Sequence, residues 1–247
     1  MLRLKSSLLV AGAAGLAGLL VLPFVAMGDD VGSAVVNGKV NFKGEKPKKA
    51  KINMSGVPEC AELHGEETVF DPKVTVNDNG TLANVFVYVS KGLEGKKFTA
   101  PEAPVVLDQK GCMYSPHVFG IMVGQKLQIT NSDPLMHNIH ALGTKNAEFN
   151  FAQIAKAKAK MQTFSEIECA PPVMFKCEVH GWMGCYGAVL PHPFYSVSSD
   201  QGAFELKGLP AGEYEVTAWH EQYGEQKQTV KVGDKETKSV EFTFEAK

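Results

Sequence analysis

The sequence lacks the short motifs that accompany common enzyme chemistries. It contains no G-x-S-x-G nucleophile elbow, no H-E-x-x-H pair, no glycine loop of the kind that holds phosphate and no C-x-x-C-H haem attachment site. A large excess of either charge is also missing, since 25 Lys and Arg residues stand against 27 Asp and Glu residues. We therefore expect a chain that is not an enzyme and that does not bind nucleic acid.

Long hydrophobic runs are missing everywhere except near the N-terminus. Residues 1–5 read Met-Leu-Arg-Leu-Lys, and an almost uninterrupted apolar run follows from Leu8 to Met27. A basic start, an apolar centre and small residues at Ala26 and Gly28 are typical of a cleaved secretory signal, while the length of the run also suits a retained membrane anchor. The sequence predicts that residues 1–28 are a signal peptide or an anchor, and that the rest is exported, as a periplasmic or extracellular protein.

Apolar and polar residues alternate in short segments separated by Gly, Pro, Asn and Asp. The clearest segments are V-N-G-K-V-N-F-K-G, A-N-V-F-V-Y-V, Q-K-L-Q-I-T-N, V-M-F-K-C, G-E-Y-E-V-T-A-W and S-V-E-F-T-F. This period of two is typical of half-buried strands, so the pattern predicts an all-β sandwich protein. The exception is F-A-Q-I-A-K-A-K-A-K-M, residues 151–161, where we expect a short helix or a loop.

One stretch, F-K-C-E-V-H-G-W-M-G-C at residues 175–185, places Cys177, His180 and Met183 at steps of three residues. One thiolate, two imidazoles and a weak thioether form a soft copper site. The distant N-S-D-P-L-M-H-N-I-H-A, residues 131–141, offers His137 as the second imidazole. Asn138 follows it directly and can tie the two ligand loops together by hydrogen bonds. These residues predict one copper site.

The pairing of N-S-D-P-L-M-H-N-I-H with a later C-x-x-H-x-x-M resembles the cupredoxins of the amicyanin and plastocyanin type. The resemblance implies a Greek-key β-sandwich over residues 104–192. It makes His137, Cys177, His180 and Met183 the ligands of one mononuclear type 1 copper that passes single electrons to and from redox protein partners. It also implies that His180 is the ligand nearest the surface and the exit for the electron.

The C-terminal stretch S-S-D-Q-G-A-F-E-L-K-G-L-P-A-G-E-Y-E-V-T-A-W-H is similar to carboxypeptidase regulatory-like, transthyretin-like domains, and G-K-V-N-F-K-G-E-K-P looks like their opening strand. The resemblance implies a smaller antiparallel β-sandwich over residues 193–247, with an accessory role and no peptidase activity. The N-terminal β segment, residues 29–103, is a candidate to complete that sandwich.

Five cysteines in an exported chain can form two disulfides and leave one over. Cys169 and Cys185 flank the copper motif, and we expect them to form a disulfide that braces the ligand loop and leaves Cys177 free.

Cys60, His64, Cys112 and His117 form a second group of residues with two interpretations. Two thiolates and two imidazoles satisfy zinc in a tetrahedral site. Alternatively, Cys60 and Cys112 form a disulfide, in which case two disulfides and one copper thiolate use all five cysteines.

Two residues near the ligands are expected to support the site without binding metal. His140 lies three residues past His137, and an odd offset on a strand points to the opposite face, so we expect it beside the site or at the surface. Trp182 is either a plug over the site or part of an apolar docking surface around an exposed edge of His180.

Three functions are compatible with these residues. An exported electron carrier is the leading hypothesis. The same four ligands can instead hold Cu(I) for delivery or sensing, and the third hypothesis is a non-redox binding or structural β-sandwich protein.

Overall fold

The computed structural model describes residues 30–246. This part of the chain consists of β-strands and one short helix, so the expected all-β fold is confirmed. In chain order the elements are β1 (Ala34–Lys43), α1 (Pro58–Glu62), β2 (Phe86–Lys91), β3 (Val105–Lys110), β4 (Met113–Ser115), β5 (Val118–Met122), β6 (Lys126–Asn131), β7 (His137–Leu142), β8 (Phe149–Gln153), β9 (Lys160–Thr163), β10 (Glu168–Lys176), β11 (Gly184–Leu190), β12 (Tyr195–Val197), β13 (Ala203–Leu209), β14 (Gly212–His220), β15 (Gly224–Val232) and β16 (Thr237–Glu245).

The strands form two sandwiches, one of which is inserted in the chain of the other. The outer sandwich consists of sheet β13-β1-β16 and sheet β12-β2-β14-β15. The inserted sandwich consists of sheet β5-β11-β10-β7-β8 and sheet β4-β3-β6-β9. The chain therefore leaves the outer sandwich after β2 and returns to it at β12.

The core of the outer sandwich is filled by alternate residues of its strands, among them Val36, Phe204, Val216 and Phe242. β1 runs antiparallel to β13 but parallel to β16, so this sandwich contains one parallel pair. A Cβ atom on Gly38 would lie 1.7 Å from the carbonyl oxygen of Val240. Glycine is therefore required for β1 and β16 to approach as closely as they do.

Aromatic side chains fill the core of the inserted sandwich. Phe175, on β10, is fully buried, and its ring centroid lies 5.6 Å from that of Phe119 and 6.3 Å from those of Phe149 and Phe164. These separations are typical of favourable aromatic pairs. Because β10 lies in the sheet between β7 and β11, its end is held firmly by both neighbours.

A third buried cluster joins the two sandwiches. Phe86 and Trp219 of the outer sandwich pack with Val118 and Leu190 of the inserted one. Nearby, the ring of His117 is hydrogen-bonded to the carboxylate of Glu221, and both side chains are largely buried. The sandwiches are thus in contact through apolar burial and one polar pair.

Between β1 and β2 the chain makes an excursion, residues 50–71, that we term the cover segment. Its ends are joined to each other, because the Ile52 N–H donates to the Val69 carbonyl at 3.0 Å and the Asp71 N–H donates to the Ala50 carbonyl at 2.8 Å. The segment contains α1, and its residues Met54 and Cys60 are buried against the core of the inserted sandwich.

Each of the six alternating segments overlaps a strand, namely β1, β2, β6, β10, β14 and β16. The helix considered at 151–161 is wrong, because residues 149–153 form β8 and only residues 154–159 are a loop. Alternating Ala and Lys offers no apolar helical stripe, whereas Phe149 and Phe151 stack on one side of β8 with ring centroids 5.7 Å apart.

The predicted signal peptide or anchor, residues 1–28, lies outside the described residues. Within residues 30–246, no helix is long and apolar enough to cross a membrane.

Candidate metal centre

The candidate centre is built where β10 ends and β7 begins. Cys177 directly follows β10 and is 3% exposed, and His137 is the first residue of β7 and is fully buried. The two strands pair in the same sheet, so sheet hydrogen bonds fix both residues at one end of the inserted sandwich.

The loop after Cys177 curls back on itself. The Cys177 N–H donates to the Met183 carbonyl at 3.2 Å, and the Met183 N–H donates to the His180 carbonyl at 2.9 Å. The His180 N–H in turn donates to the Cys177 sulfur at 3.4 Å. This curl brings His180 and Met183 inside, each 1% exposed, and Met183 packs in the same core cluster as Cys177.

Three donor atoms converge in the space that the loop encloses. The Nδ1 atoms of His137 and His180 lie 2.9 Å apart, and His180 Nδ1 lies 3.8 Å from the Cys177 sulfur. The donor atoms of the three residues all lie within 4.8 Å of one another. Two imidazole nitrogens and one thiol sulfur, with Met183 buried nearby, form a donor set that fits a soft metal ion.

Hydrogen bonds set the protonation of these donors. Burial alone would raise the pKa of the Cys177 thiol, but hydrogen bonds from His137 and from backbone N–H groups lower it below its ordinary value. Burial would lower the pKa of His137, but Cys177 and Asp133 raise it. Burial and the neighbouring His137 lower the pKa of His180. A thiolate and a neutral imidazole are the forms that bind metal.

Asn138 lies where it can join the two ligand loops. Its side-chain oxygen accepts the Glu178 N–H at 3.0 Å, and its side-chain nitrogen donates to Asn150 Oδ1 at 2.6 Å. Its backbone N–H donates to the Cys177 sulfur at 3.4 Å. The residue thus connects β7, β8 and the Cys177 loop.

His140 is not among the converging donors. Its two ring nitrogens lie 2.5 Å from carboxylate oxygens of Glu178 and Glu148, so both are engaged. These two carboxylates also raise the pKa of His140.

Trp182 covers part of the centre. Its indole N–H donates to the Cys112 carbonyl at 3.0 Å, and its ring centroid lies 5.3 Å from that of His180. The expectation that His180 has an exposed edge is wrong, because His180 is 1% exposed. The cover segment explains this burial, since the sulfurs of Cys60 and Cys112 lie within 4.8 Å of a His180 nitrogen.

Cys60 and Cys112 form a disulfide, with their Cα atoms 5.7 Å apart. The alternative zinc site is not assembled. His64 Nε2 lies 2.8 Å from the Gly111 carbonyl oxygen, and the His117 ring bonds to Glu221 and to the Gly184 carbonyl instead.

The predicted disulfide between Cys169 and Cys185 is wrong, since both are free. Glu168 pairs with Val189 and Phe175 pairs with Cys185 across β10 and β11. Cys169 therefore lies opposite the residues next to Val189, about 10 Å along the strand from Cys185. A disulfide needs Cα atoms within about 7 Å.

Asp133 is a residue of the centre that the sequence patterns did not single out. Its carboxylate lies 2.7 Å from His137 Nε2 and accepts the N–H groups of Gly111 and Cys112. Its place in N-S-D-P, four residues before His137, was the only signal available. Asp133 therefore connects the candidate ligand His137 to the disulfide.

A cavity of about 510 Å³ lies on the other side of the ligand loop. Its lining includes Cys177, Met183 and Trp182 together with Lys73 and Glu221. The cavity therefore lies where the inserted sandwich meets the outer one and the chain that follows the cover segment.

No protein-family model matches the chain, and no curated protein matches it. Among solved structures, it is similar to an oxidised amicyanin variant, with 19% identity and a TM-score of 0.31 over 42% of this chain and 97% of that one. It is similar to a purple cupredoxin from Nitrosopumilus maritimus, with 21% identity and a TM-score of 0.29 over 34% of this chain and 98% of that one.

A copper-containing nitrite reductase from Thermus scotoductus SA-01 is also similar, with 16% identity and a TM-score of 0.32 over 40% of this chain. This chain spans only 25% of that enzyme. Likenesses at these TM-scores carry no weight for function, which depends on the side chains of the centre.

Proposed function

We propose that the inserted sandwich binds one mononuclear copper ion through His137, Cys177, His180 and Met183. The observation that carries this proposal is the convergence of one sulfur and two imidazole nitrogens within 4.8 Å in a buried space. Hard ions such as calcium and magnesium prefer oxygen donors, whereas two imidazoles, one thiolate and a thioether suit a type 1 copper.

Copper held in this way changes between one and two positive charges and so passes single electrons. The residues around the centre keep the donors in place through that change. Asp133 orients His137, Asn138 joins the ligand loops, and two backbone N–H groups point at the Cys177 sulfur. We therefore propose a non-enzymatic exported protein that carries electrons between redox partners, with the outer sandwich as an accessory domain of the carboxypeptidase regulatory-like kind.

We propose that the electron does not leave through His180, which the sequence resemblance suggested as its exit. The cover segment buries His180, while Cys177 and Met183 line the cavity next to the outer sandwich. A partner docked over this cavity would come nearer to the ligands than one docked over the cover segment.

The test is to add Cu(II) to the purified chain and record its visible and electron paramagnetic resonance spectra. An intense thiolate-to-copper band with narrow copper hyperfine splitting is expected. Cys177→Ser should abolish the band, whereas Cys169→Ser should leave it unchanged, because Cys169 is a partly buried thiol outside the centre. Failure of the wild-type chain to bind copper would refute the proposal.

Burial of His180 favours one second candidate, a Cu(I) carrier, because a carrier needs no exposed ligand edge for rapid electron exchange. A copper-loaded chain that stays colourless and retains only Cu(I) would establish that function in place of electron transfer.

A further inference from the structure

The disulfide between Cys60 and Cys112 lies against the candidate copper ligands. Donor atoms of Cys60, Cys112 and His180 lie within 4.8 Å of one another, and so do those of Cys112, Asp133 and His137. All of these residues are buried. The disulfide therefore lies within 4.8 Å of a nitrogen atom of each histidine of the centre.

We propose that Cys60 and Cys112, once reduced to two thiols, form with His180 an alternative binding position for Cu(I). Two thiolates and an imidazole are soft donors that suit Cu(I). Because His180 belongs to both donor sets, this is a second position for one ion and not a site for a second ion. The proposal goes beyond the electron-transfer function and does not require Cys177, so the two can fail separately.

The reducing step uses an external dithiol. A thiolate of the dithiol attacks one sulfur of the protein disulfide to form a mixed disulfide, and its second thiol then releases the protein. The protein disulfide gains two electrons and two protons, and the dithiol becomes a disulfide. Binding of Cu(I) by the two protein thiols then releases their protons to solvent.

Cys112 is aimed at the histidines independently of the disulfide. Its N–H and that of Gly111 donate to the buried Asp133 carboxylate at 2.8 Å and 2.7 Å. Its carbonyl accepts the Trp182 indole N–H at 3.0 Å. Its φ of 53° lies in the left-handed region, which residues with a side chain adopt uncommonly. The Cys112 sulfur is therefore expected to stay beside His180 after reduction.

Cys60 is carried by a segment that makes no backbone-to-backbone hydrogen bond to the inserted sandwich among the described residues. The backbone hydrogen bonds that close the cover segment join residues 50–52 to residues 69–71, within the segment itself. The disulfide, apolar burial and the bond from His64 to the Gly111 carbonyl hold it to the inserted sandwich. Local opening of such a segment costs less than opening of the paired strands, which gives a dithiol access to the buried sulfurs.

The experiment uses the full chain carrying Cys177→Ser, which removes the thiolate of the first donor set. Cu(I) is titrated without oxygen against a chromophoric Cu(I) chelator, before and after treatment with dithiothreitol and its removal. The disulfide form should leave Cu(I) with the chelator, and the reduced form should hold one Cu(I) per chain. X-ray absorption should show two sulfur ligands and one nitrogen ligand.

Matched cysteine variants identify the donors. Adding Cys112→Ser should abolish the bound Cu(I), whereas adding Cys169→Ser should retain it. Cu(I) that persists without Cys112 would overturn the proposal. The proposal is also overturned if alkylation and mass measurement count two more thiols after reduction, yet the reduced chain binds no Cu(I).

Circular dichroism shows whether reduction unfolds the chain. Loss of the β signal that Cu(I) does not restore would also overturn the proposal, because the site needs His180 in its folded position. The visible band of the wild-type disulfide form tests the Cys177 centre separately.

Discussion

At the scale of single residues, Asp133 connects the candidate metal centre with the turn that carries Cys112. Its carboxylate is 3% exposed and is bonded to His137 and to the N–H groups of Gly111 and Cys112. Hydrogen bonds to a buried charged acceptor are stronger than those between neutral groups. One side chain therefore positions a ligand and the turn that presents the disulfide.

Asp133→Asn should weaken the positioning of the ligand and the support of the turn. The amide nitrogen of Asn would face N–H groups that a carboxylate oxygen accepts in the wild-type chain. We expect the free energy of unfolding to fall by roughly 1–3 kcal/mol. Copper affinity should fall on the order of 10–100-fold. Urea unfolding and competition with a copper chelator measure these effects.

Asp108→Asn is the matched control for that variant. Asp108 accepts the hydroxyl groups of Thr130 and Ser132 at 2.7 Å and lies outside the centre. Copper affinity should be unchanged in the control, and an equal loss in both variants would contradict the role given to Asp133.

The sequence was sufficient to suggest the candidate donors, but it did not reveal the residues that hold them in place. Cys177, His180 and Met183 lie on one loop, so their spacing alone suggested a ligand set. His137 also followed from its motif. Asp133 did not, because its partners at residues 111 and 112 come from another turn that only the folded chain brings to it.

At the scale of elements, β10 carries the centre, and Glu168 anchors its beginning. The Glu168 carboxylate is 2% exposed and accepts the N–H groups of Thr144 and Asn146 at 2.5 Å and 3.1 Å. Burial alone would raise its pKa, but these hydrogen bonds and those from the side chains of the same two residues lower it to about 2. The start of β10 is thus tied to the turn after β7.

Glu168 should make stability depend on acid pH. Because its pKa is lower in the folded chain than in the unfolded chain, the stabilisation is present above about pH 4.5 and is lost as the pH falls toward about 2. Glu168→Gln should remove this part of the pH dependence and lower stability at pH 7 by roughly 1–3 kcal/mol. Urea unfolding of both chains across that pH range tests this prediction.

Glu205→Gln provides the control for Glu168, because Glu205 makes only an exposed ion pair with Lys207. The free energy of unfolding of this variant should depend on pH as that of the wild-type chain does. A flat profile for the control as well would contradict the assignment to Glu168.

Strands were predictable from alternation, but the pairing of strands was not. β10 was predicted from the segment V-M-F-K-C, yet only its register with β11, including the irregular pairing between Glu168 and Val173, decides which residues lie opposite each other. The pairing of Glu168 with Val189 keeps Cys169 away from Cys185 along the strands, and no count of cysteines in the sequence could reveal it.

At the scale of the whole molecule, two buried histidines make the stability of the fold sensitive to mild acid. One lies in the outer sandwich and the other lies at its border. Burial lowers the pKa of His192 and of His220 to about 4. The folded chain then binds fewer protons than the unfolded chain between about pH 6.5 and pH 4. Stability should therefore decrease as the pH falls through that window.

His220→Phe should flatten the decrease between pH 6.5 and pH 4, because the ring of His220 already stacks on Tyr223 with centroids 4.9 Å apart. His140→Gln is the contrasting control. The pKa of His140 is raised, so its stabilisation is present at low pH and is lost as the pH rises. Because that stabilisation is complete below about pH 6.5, removing it should leave the slope between pH 6.5 and pH 4 as in the wild-type chain. Equal slopes in the two variants would contradict the assignment to His220.

The parallel pairing of β1 with β16 sets an order of events during synthesis. Asn37 and Ser239 are hydrogen-bonded neighbours, although 202 positions separate them in the chain. A ribosome completes every strand of the inserted sandwich before β16 exists. The inserted sandwich can therefore close its core while one edge of β1 still awaits a partner. Stalled or shortened chains would expose that edge to other chains, which makes the last strand the safeguard against aggregation.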